Sequence, residues 1–596
     1  MAGRRLLITG VGSHVGSLLA QRLERDPEVE HVAGLDTRRP KAALERTEFI
    51  EADIRDPEIA RLIPGTRVDT LVHEQIVRQP GPGMSSRAMH DINVIGTLQL
   101  LAACERVSTL STIVVRGSAG VYGAEPHAPQ FFREEMARLF PQRTRFQRDV
   151  AEIENYFDTY ARRHAGVSCT MLRYQPAIGP GLRTQITRYL SQPVCPTYMG
   201  FDPRIQLVGI DDALEAIVAA VRNPVPGAVN VAAPGTIGLT RMIRLAGRRA
   251  LPIASPLFGA VTSAGQRFGL DAQSDDFQRL LRYGRGGMNA ATTIDFMRRL
   301  RAGLDSGLEL PDALARGAVA LPRDARETLS RIVDRMEGEY SEDEWGFDEG
   351  FAELVEPFFG FLYESWWRVK VVGAERVPAH GRALLTANHA GILPWDATMI
   401  SMALLREHPL PRYPRFMVLN WAFDLPWISA GMRKVGGVAA SPFNAMRLLE
   451  QDHLVAVFPE GVKGTGKPYS ERYRLQRFGR GGFVEIALRT GAPIVPVAVV
   501  GSEEIYPKVA DLPAVARLIG APYFPVTPTF PLLGPLGIVP LPSKWRIEFL
   551  EPIETASHGP EAADDRAFVL ELSERVRERI QQALYANLVQ RGPAFI

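Results

Sequence analysis

The feature that most constrains this chain is the alternation of short β-branched or leucine-rich runs with helical segments over residues 1–300. Short apolar runs predict buried strands, and strands that alternate with helices predict βαβ units around a parallel sheet. The expected fold is an α/β Rossmann fold with a doubly wound parallel sheet. The predicted elements are the strands Leu6–Ile8, His31–Leu35, Thr70–Val72 and Thr112–Val115 and the helices Val15–Leu23 and Ile92–Cys104.

The length of 596 residues exceeds what one hydrophobic core usually serves, so two or more domains are expected. All seven tryptophans fall at or after Trp345, and residues 336–350 carry seven acidic residues and no basic one. A solvated acidic linker at 301–350 is therefore favoured over a partner-binding tail. Residues 351–596 again mix strands and helices, which predicts a second α/β domain.

Composition narrows the partners and the compartment. The net charge of +2 gives no argument for nucleic acid as a partner. The three cysteines have neither metal nor disulfide spacing, so no metal site is expected, and they suit a reducing cytoplasm. We see no secretory signal and no run long and apolar enough to span a bilayer. We expect a cytoplasmic protein peripheral to the inner face of the membrane, and its oligomeric state stays open.

A glycine-rich turn follows the first predicted strand and opens the first helix. Gly10, Gly12 and Gly16 allow the turn to be tight, and the amino terminus of the helix offers free N–H groups to a pyrophosphate. Asp36 ends the next strand, where an acid binds the ribose hydroxyls of a dinucleotide. Arg38 follows it and favours a 2′-phosphate, so the choice between NAD and NADP stays open.

Further segments resemble the extended short-chain dehydrogenase/reductase family, in its nucleotide-sugar epimerase branch. The resemblance rests on the glycine turn, on Asp53-Ile54, on residues 93–97 and on Ser118-Ala119-Gly120-Val121-Tyr122-Gly123. It implies that Asp53 and Ile54 lie beside the adenine and that Ser118 is the catalytic serine of a cofactor site.

Departures from this family argue against catalysis by the first domain. Its middle glycine is Ser13, and its Tyr-x-x-x-Lys pair falls on Phe146 and Val150. The lysine of such a pair lowers the pKa of the tyrosine, which exchanges a proton during hydride transfer. Without them, the expected domain is catalytically degenerate. Two alternatives stay open: Tyr122 or another group substitutes in an active reductase or epimerase, or the domain senses a nucleotide and regulates its neighbour.

The second domain carries a histidine followed by an acid, Asn388-His389-Ala390-Gly391-Ile392-Leu393-Pro394-Trp395-Asp396. Acyl transfer to a hydroxyl needs a base at the moment of attack, and histidine has a suitable pKa. A carboxylate on the second ring nitrogen fixes the tautomer and stabilises the imidazolium. His389 and Asp396 are therefore candidates for the base and its orienting acid, with the substrate hydroxyl as nucleophile.

Two later segments extend this pattern, Phe458-Pro459-Glu460-Gly461 and residues 491–497. The three segments in this order resemble the glycerophospholipid acyltransferase family. The resemblance implies an acyl-CoA or acyl-carrier-protein donor, a lysophosphatidate-like lysolipid acceptor and no cofactor for the transfer. It places Glu460 and Gly461 in the acceptor site, with Lys463, aided by Lys467, binding a phosphate.

Two departures bear on that assignment. The family spaces its histidine and aspartate as His-x4-Asp, whereas six residues separate His389 from Asp396, and a turn before a helix starting near Pro394 is expected to bring them together. The arginine of the family's second motif is also absent. Its segment offers substrate-binding candidates, which are Ser441, Asn444 and Arg447.

Three other stretches of the sequence bear on function. Residues 461–467 match the phosphate loop GxxxxGK, but Pro468 stands where that loop needs Ser or Thr, which argues against a nucleotide hydrolase. Residues 351–370 place aromatic rings beside a basic edge, which suits either a bilayer interface or a core helix. Residues 523–545 are apolar and proline-rich, which suits either a loop dipping among lipid headgroups or a cover for the core.

Overall fold

The computed structural model describes residues 3–78, 84–125, 128–233, 235–266, 274–284, 335, 340–391, 393–518 and 522–595. The chain divides into two compact units, Met1–Glu344 and Trp345–Ile596. Most of the predicted linker, residues 301–350, lies outside the described residues. Its residues 345–348 are not solvated: Trp345 is buried, and buried Asp348 accepts from the N–H of Phe351 (3.0 Å). The prediction of a solvated linker is therefore wrong for residues 345–348.

Within the described residues of the first unit, seven strands form one parallel sheet in the order β11-β6-β5-β4-β1-β2-β3. Three two-stranded sheets accompany it. The strands are β1 Arg4–Thr9, β2 Val29–Asp36, β3 Thr47–Glu51, β4 Thr70–His73, β5 Thr112–Ser118, β6 Ser168–Tyr174, β7 Ala177–Ile178, β8 Val194–Tyr198, β9 Arg204–Ile205, β10 Val208–Gly209, β11 Gly227–Val231, β12 Ile237–Gly238 and β13 Arg249–Ile253.

Helices cover both faces of this sheet because successive strand residues alternate sides. Leu6 and Ile8 belong to one core with α1 and α7, and Leu7 belongs to the opposite core with α2, α4 and α5. The predicted doubly wound parallel sheet is confirmed. The helices are α1 His14–Leu23, α2 Ile59–Gly65, α3 Ser86–His90, which continues as a π-helix over Asp91–Gly96, α4 Thr97–Cys104, α5 Arg145–Arg163, α6 Gln185–Ser191, α7 Ile210–Arg222, α8 Leu239–Leu245, α9 Phe258–Gln266 and α10 Asp275–Tyr283.

The described part of the second unit has a seven-stranded sheet in the order β14-β22-β19-β15-β18-β16-β17, parallel except for the pairing of β19 with β22. A second α/β domain is thus confirmed. The strands are β14 Lys370–Val372, β15 Ala383–Ala387, β16 Arg415–Val418, β17 Gly437–Ala439, β18 Leu454–Val457, β19 Ile494–Val500, β20 Ala510–Asp511, β21 Pro525–Val526 and β22 Arg546–Phe549.

Two central strands of this sheet set the position of the site. β15 and β18 are parallel neighbours, with Thr386 opposite Val457, so the segments that follow them meet at one edge. None of the helices in the described ranges is both long enough and apolar enough to cross a bilayer. The helices are α11 Glu349–Phe361, α12 Trp395–Arg406, α13 Asn420–Phe423, α14 Ile428–Lys434, α15 Pro442–Glu450, α16 Val462–Thr465, α17 Gly482–Thr490, α18 Pro513–Leu518 and α19 Arg566–Arg591.

Candidate active site

His389 lies in the turn between β15 and α12, and its partner Asp396 lies in the first turn of α12. Nδ1 of His389 is 2.6 Å from Oδ2 of Asp396. Two turns of straight helix would separate residues seven apart by about 10 Å along the axis. Here the chain instead reverses at Gly391, whose φ of +72° suits glycine, and the helix begins only after Pro394.

The Asp396 carboxylate is fully buried, and each of its oxygens has a partner. Oδ2 also accepts from the N–H of Ala390 (3.0 Å), and Oδ1 accepts from the N–H of Ala397 (2.9 Å). These bonds fix the carboxylate in place, and Oδ2 holds the imidazole by Nδ1. The imidazole stacks on Phe458, with ring centroids 4.5 Å apart. Nδ1 is therefore the ring nitrogen that the carboxylate engages.

Glu460 supports the histidine turn from the neighbouring strand. Its Oε1 accepts from the N–H of His389 (3.2 Å), and its Oε2 accepts from the N–H of Gln476 (2.8 Å). Oε2 also pairs with Nζ of Lys467 at 3.3 Å. Glu460 is buried and is not among the residues that line the cavities described below, whereas Gly461 lines the larger one. Glu460 therefore holds the histidine turn in position.

The two lysines expected to bind phosphate lie in different surroundings. Lys467 is buried, pairs with Glu503 as well as Glu460 (3.1 Å to Glu503 Oε1), and lines the smaller cavity. Burial raises the pKa of Glu503 to about 7, and the nearby Lys467 opposes this shift. Lys463 is exposed and is not among the side chains lining either cavity.

The three substrate-binding candidates around α15 also lie in different surroundings. Ser441 lines the larger cavity. Asn444 is buried and donates from Nδ2 to the carbonyl of Ala439 (2.9 Å), so it holds the turn before α15. Arg447 is half-buried one turn later and is not among the residues of either cavity lining.

Two adjoining cavities lie beside the histidine turn, and the larger one contacts His389 itself. The larger one, here called the apolar cavity, has a volume of about 420 Å³ and is lined by His389 and by many aliphatic and aromatic side chains, among them Val355, Phe359, Met402, Leu405, Phe416 and Met432. The smaller one, here called the basic cavity, has a volume of about 230 Å³ and is lined by Lys467, Arg472 and Lys508 with Glu503 and Tyr506. Both contact Gly391, Thr465 and Tyr523.

In the first unit, the glycine turn has the expected backbone and an unexpected cap. Gly10 has a φ of +78°. The N–H of Gly12 donates to Oδ2 of Asp36 (3.0 Å), which places the acid beside the turn. Ser13 caps α1 by accepting from the N–H of Gly16 through its hydroxyl (2.9 Å). This hydroxyl takes one of the free N–H groups that a pyrophosphate would use.

The two residues predicted to lie beside the adenine, Asp53 and Ile54, have different surroundings. Ile54 is buried and packs on Gly96, where an added Cβ would lie 2.6 Å from its Cδ1. The carboxylate of Asp53 pairs with Arg55 at 2.6 Å. Hydrogen bonding from Arg55 lowers the pKa of Asp53. Asp53 therefore already has a cationic partner in this structure.

Ser118 and Phe146 meet at Gly120, since a Cβ on that glycine would be 3.3 Å from both the serine Oγ and the phenylalanine Cε1. Phe146 and Val150 are buried. The guanidinium of Arg78 lies 5.5 Å from the centroid of the Phe146 ring and pairs with Asp276 at 3.7 Å. Sequence reasoning missed this arginine and aspartate, because nearly two hundred residues separate them.

Tyr122, the substitute considered for the missing tyrosine, has both of its hydrogen bonds made. Its hydroxyl donates to Oδ1 of Asn230 (2.6 Å) and accepts from Arg173 (2.9 Å). The ring is buried, and burial raises the pKa of the phenol. These contacts suit a structural tyrosine.

Comparison with known protein families divides the chain in the same way as the fold. Residues 6–232 match the NAD dependent epimerase/dehydratase family, and residues 368–500 match the Acyltransferase family. The chain belongs to both families and is a fusion of an epimerase/dehydratase-type domain with an acyltransferase domain.

Its relatives include uncharacterized mycobacterial proteins. One from Mycobacterium leprae is 53% identical over 265 residues, covering 44% of this chain and 72% of the relative. Two from Mycobacterium tuberculosis are 51% identical over 281 residues (46% of this chain, 78% of the relative) and 35% identical over 258 residues (43% and 68%).

Solved structures with a similar fold include two bound to NAD. UDP-glucuronic acid 4-epimerase from Bacillus cereus, in complex with UDP-glucuronic acid and NAD, has a TM-score of 0.38 at 17% identity and covers 50% of this chain and 99% of its own. The enzyme WbmH from Bordetella bronchiseptica, in complex with NAD+, has a TM-score of 0.38 at 18% identity, with 50% and 97% covered.

Proposed function

We propose that the second unit transfers a fatty acyl group from acyl-CoA or acyl-carrier protein to a hydroxyl of a lysophosphatidate-like glycerolipid. The observation that carries this proposal is the 2.6 Å contact between His389 and Asp396 at the wall of the apolar cavity. A buried carboxylate on Nδ1 leaves Nε2 of the imidazole as the acceptor for a proton from a bound alcohol.

The reaction follows from that arrangement. Nε2 of His389 takes the proton of the acceptor hydroxyl as its oxygen attacks the thioester carbonyl, and Asp396 stabilises the imidazolium. The resulting tetrahedral intermediate collapses with cleavage of the carbon–sulfur bond. The imidazolium returns its proton to the departing thiolate, so an ester and a free thiol are formed. Neither a metal nor a covalent enzyme intermediate enters these steps.

The two cavities support a division of the substrates. The apolar cavity suits an alkyl chain, because its lining is aliphatic and aromatic. The basic cavity suits a phosphate, since Arg472 and Lys508 line it together with Lys467. Lys467 is already paired with two carboxylates, whereas Lys508 pairs with one, Asp511 at 3.3 Å, so Arg472 and Lys508 are the stronger candidates for that contact. Lys463 and Arg447 lie outside both linings.

The test uses the purified full-length protein, an acyl-CoA series and a panel of lysolipids, with release of free thiol as the readout. His389→Ala is expected to lower kcat by about 10³-fold, because the base is lost at the attacking step. His558→Ala is the matched control, since His558 is an exposed histidine of the same unit. Unchanged thiol release and ester formation in His389→Ala would refute the assignment of the base.

For the first unit we infer nucleotide binding without turnover. The glycine turn, α1 and Asp36 fit a dinucleotide, with the pyrophosphate at the start of α1 and the ribose at Asp36. NAD(P), when bound, supplies a hydride acceptor or donor. Among the described residues, buried Phe146 and Val150 occupy the positions of the tyrosine and the lysine, and the hydroxyl of Tyr122 is already hydrogen-bonded to Asn230 and Arg173. This observation favours a binding or regulatory role over a reductase or epimerase.

A further inference from the structure

A proline-rich segment of the second unit exposes leucine side chains to solvent. This segment, residues 527–542, here called the proline loop, contains no charged residue. Leu532 and Leu536 are 84% and 73% exposed, and Leu533, Ile538 and Val539 are exposed as well. Exposed apolar residues are ordinary when single, but a cluster of five on one short segment marks a surface that another apolar phase covers.

The exposure of these side chains does not come from a loosely attached backbone. Successive carbonyls of Pro540, Leu541 and Pro542 accept hydrogen bonds of 3.0, 3.0 and 2.8 Å from the side chains of Trp366, Trp367 and Arg368. Near the other end, the hydroxyl of Thr529 donates to the carbonyl of Gly537 at 3.3 Å. The protein thus binds the polar backbone groups of the loop and leaves its alkyl side chains to the outside.

The proline loop also forms part of the wall of the basic cavity. Phe530, Gly537 and Ile538 line that cavity. The carbonyl of Ile538 accepts from the hydroxyl of Tyr506 (2.6 Å), and that hydroxyl accepts from Nε1 of Trp395 (3.0 Å). Trp395 immediately precedes Asp396. An apolar phase in contact with the leucines would therefore lie next to the basic cavity, which adjoins the histidine turn.

Basic residues accompany the loop at this edge. Arg472 and Lys508 line the same cavity, and the N–H of Tyr469 donates to the carbonyl of Lys508 (2.9 Å), which joins the two basic segments. Arg472 is exposed, with Glu471 as its acidic neighbour in the chain. Alkyl groups flanked by cations match the interior and the headgroups of an anionic bilayer.

We propose that the proline loop docks the protein on an anionic lipid bilayer, with the leucines among the acyl chains and with Arg472 and Lys508 among the headgroups. The exposed cluster contains Leu, Ile and Val, without the aromatic residues and arginine that enrich the centres of protein–protein interfaces, and this composition favours lipid over a protein partner. The docking itself does not depend on the proposed function, although the entry of a lysolipid from the bilayer rests on it.

The test is co-sedimentation of the full-length protein with vesicles of equal parts phosphatidylcholine and phosphatidylglycerol, and with vesicles of phosphatidylcholine alone. Leu532→Ser with Leu536→Ser is expected to weaken binding to the anionic vesicles by at least about tenfold, because two leucines lose their apolar burial. Arg472→Gln is expected to weaken binding to the anionic vesicles only, by about fivefold.

The matched control is Val589→Ser on α19, since Val589 is also 84% exposed. It is expected to keep wild-type vesicle binding. Equal losses in Val589→Ser and the leucine variant would overturn the proposal, because binding would then follow exposed apolar area in general. Absence of vesicle binding by the wild type, or a leucine variant that binds normally but loses an oligomer seen in the wild type, would also overturn it.

Acylation of a short-chain, monomeric lysolipid separates the two proposals. Neither Leu532 nor Leu536 lines a cavity, so the leucine variant is expected to acylate this soluble acceptor at the wild-type rate. Loss of vesicle binding with retained acylation leaves the acyltransferase proposal standing and supports the docking role of the loop. If the wild type binds vesicles but acylates no acceptor, the acyltransferase proposal alone is refuted.

Discussion

Both units place their candidate residues at the carboxyl ends of parallel strands, yet the two edges differ in what they present. In the second unit, His389 follows β15 and lines a cavity of about 420 Å³. In the first unit, Ser118 ends β5, and the residues at the positions of the proton-exchanging pair, Phe146 and Val150, are buried and apolar. The same edge geometry thus carries an ionisable group at one site and apolar side chains at the other.

The difference shows that a candidate site needs a reactive group with one nitrogen or oxygen atom that is not already bonded within the protein. In the first unit, buried charged groups pair with one another, as Arg173 does with Glu154 at 2.9 Å. Such pairs suit a structural role, since each charge is offset within the protein. In the second unit, Asp396 uses its oxygens on two backbone N–H groups and on Nδ1 of His389, and the proposed function assigns Nε2 to the substrate.

The largest effect that sharpens this comparison is expected from Asp396→Asn. The amide side chain would donate to Nδ1 where the carboxylate accepts, so the imidazole would carry its proton on Nε2 and could not act as base. We expect kcat for acyl transfer to fall by about 10³-fold or more, measured as thiol release. Asp452→Asn is the control, because Asp452 is an exposed carboxylate paired with Arg382. Normal turnover in Asp396→Asn would show that the carboxylate does not orient the base.

A second prediction concerns one buried glutamate in each unit. Burial raises the pKa of both Glu74 and Glu503 from 4.5 to about 7. The folded chain therefore binds more protons than the unfolded chain between these values, and the free energy of unfolding falls as the pH rises through this window, by about 3 kcal/mol for each group. Above pH 7 the contribution is constant. Glu74→Gln and Glu503→Gln are each expected to flatten this slope.

The tryptophan distribution allows the two slopes to be separated in the full-length chain. All seven tryptophans lie in the second unit, so their fluorescence follows that unit, while far-ultraviolet circular dichroism follows both. Glu503→Gln should flatten the fluorescence transition and Glu74→Gln should leave it unchanged. The exposed Glu135→Gln and Glu561→Gln serve as controls. A slope that persists in both buried variants would show that other groups set the pH dependence.

The sequence predicted what depends on local pattern and failed where distant segments meet. The strands β1 and β5 and the helix α12 follow from apolar runs and turn residues close together in the chain. The short contact between His389 and Asp396 was expected from a turn, because glycine and proline mark that turn. The pairing of Lys467 with Glu503 was not predictable, since it depends on how loops from two strands close over each other.

A third prediction tests the inferred binding without turnover in the first unit. NAD or NADP is expected to raise the free energy of unfolding of that unit by about 2.7 kcal/mol at a hundred times its Kd, since it binds only the folded form. The circular dichroism transition should shift, and the tryptophan transition of the second unit should not. Hydride exchange between the bound cofactor and any nucleotide sugar would contradict the degenerate assignment and favour the bifunctional alternative.

The smallest expected effect comes from restoring the missing glycine with Ser13→Gly. The Ser13 hydroxyl occupies the N–H of Gly16, and its removal frees that donor for a pyrophosphate. Replacing a capping serine by glycine costs only a few tenths of a kcal/mol in helix stability, so the fold should persist. One additional hydrogen bond to a charged group is worth about 1.5 kcal/mol, which predicts nucleotide binding about tenfold tighter by calorimetry.

Ser85→Gly is the matched control, because Ser85 caps α3 in the same way, accepting from the N–H of Ala88 (3.1 Å). Equal affinities in the wild type and Ser13→Gly would mean that the start of α1 does not bind the phosphates, and the glycine turn would then be a structural element of the sheet edge.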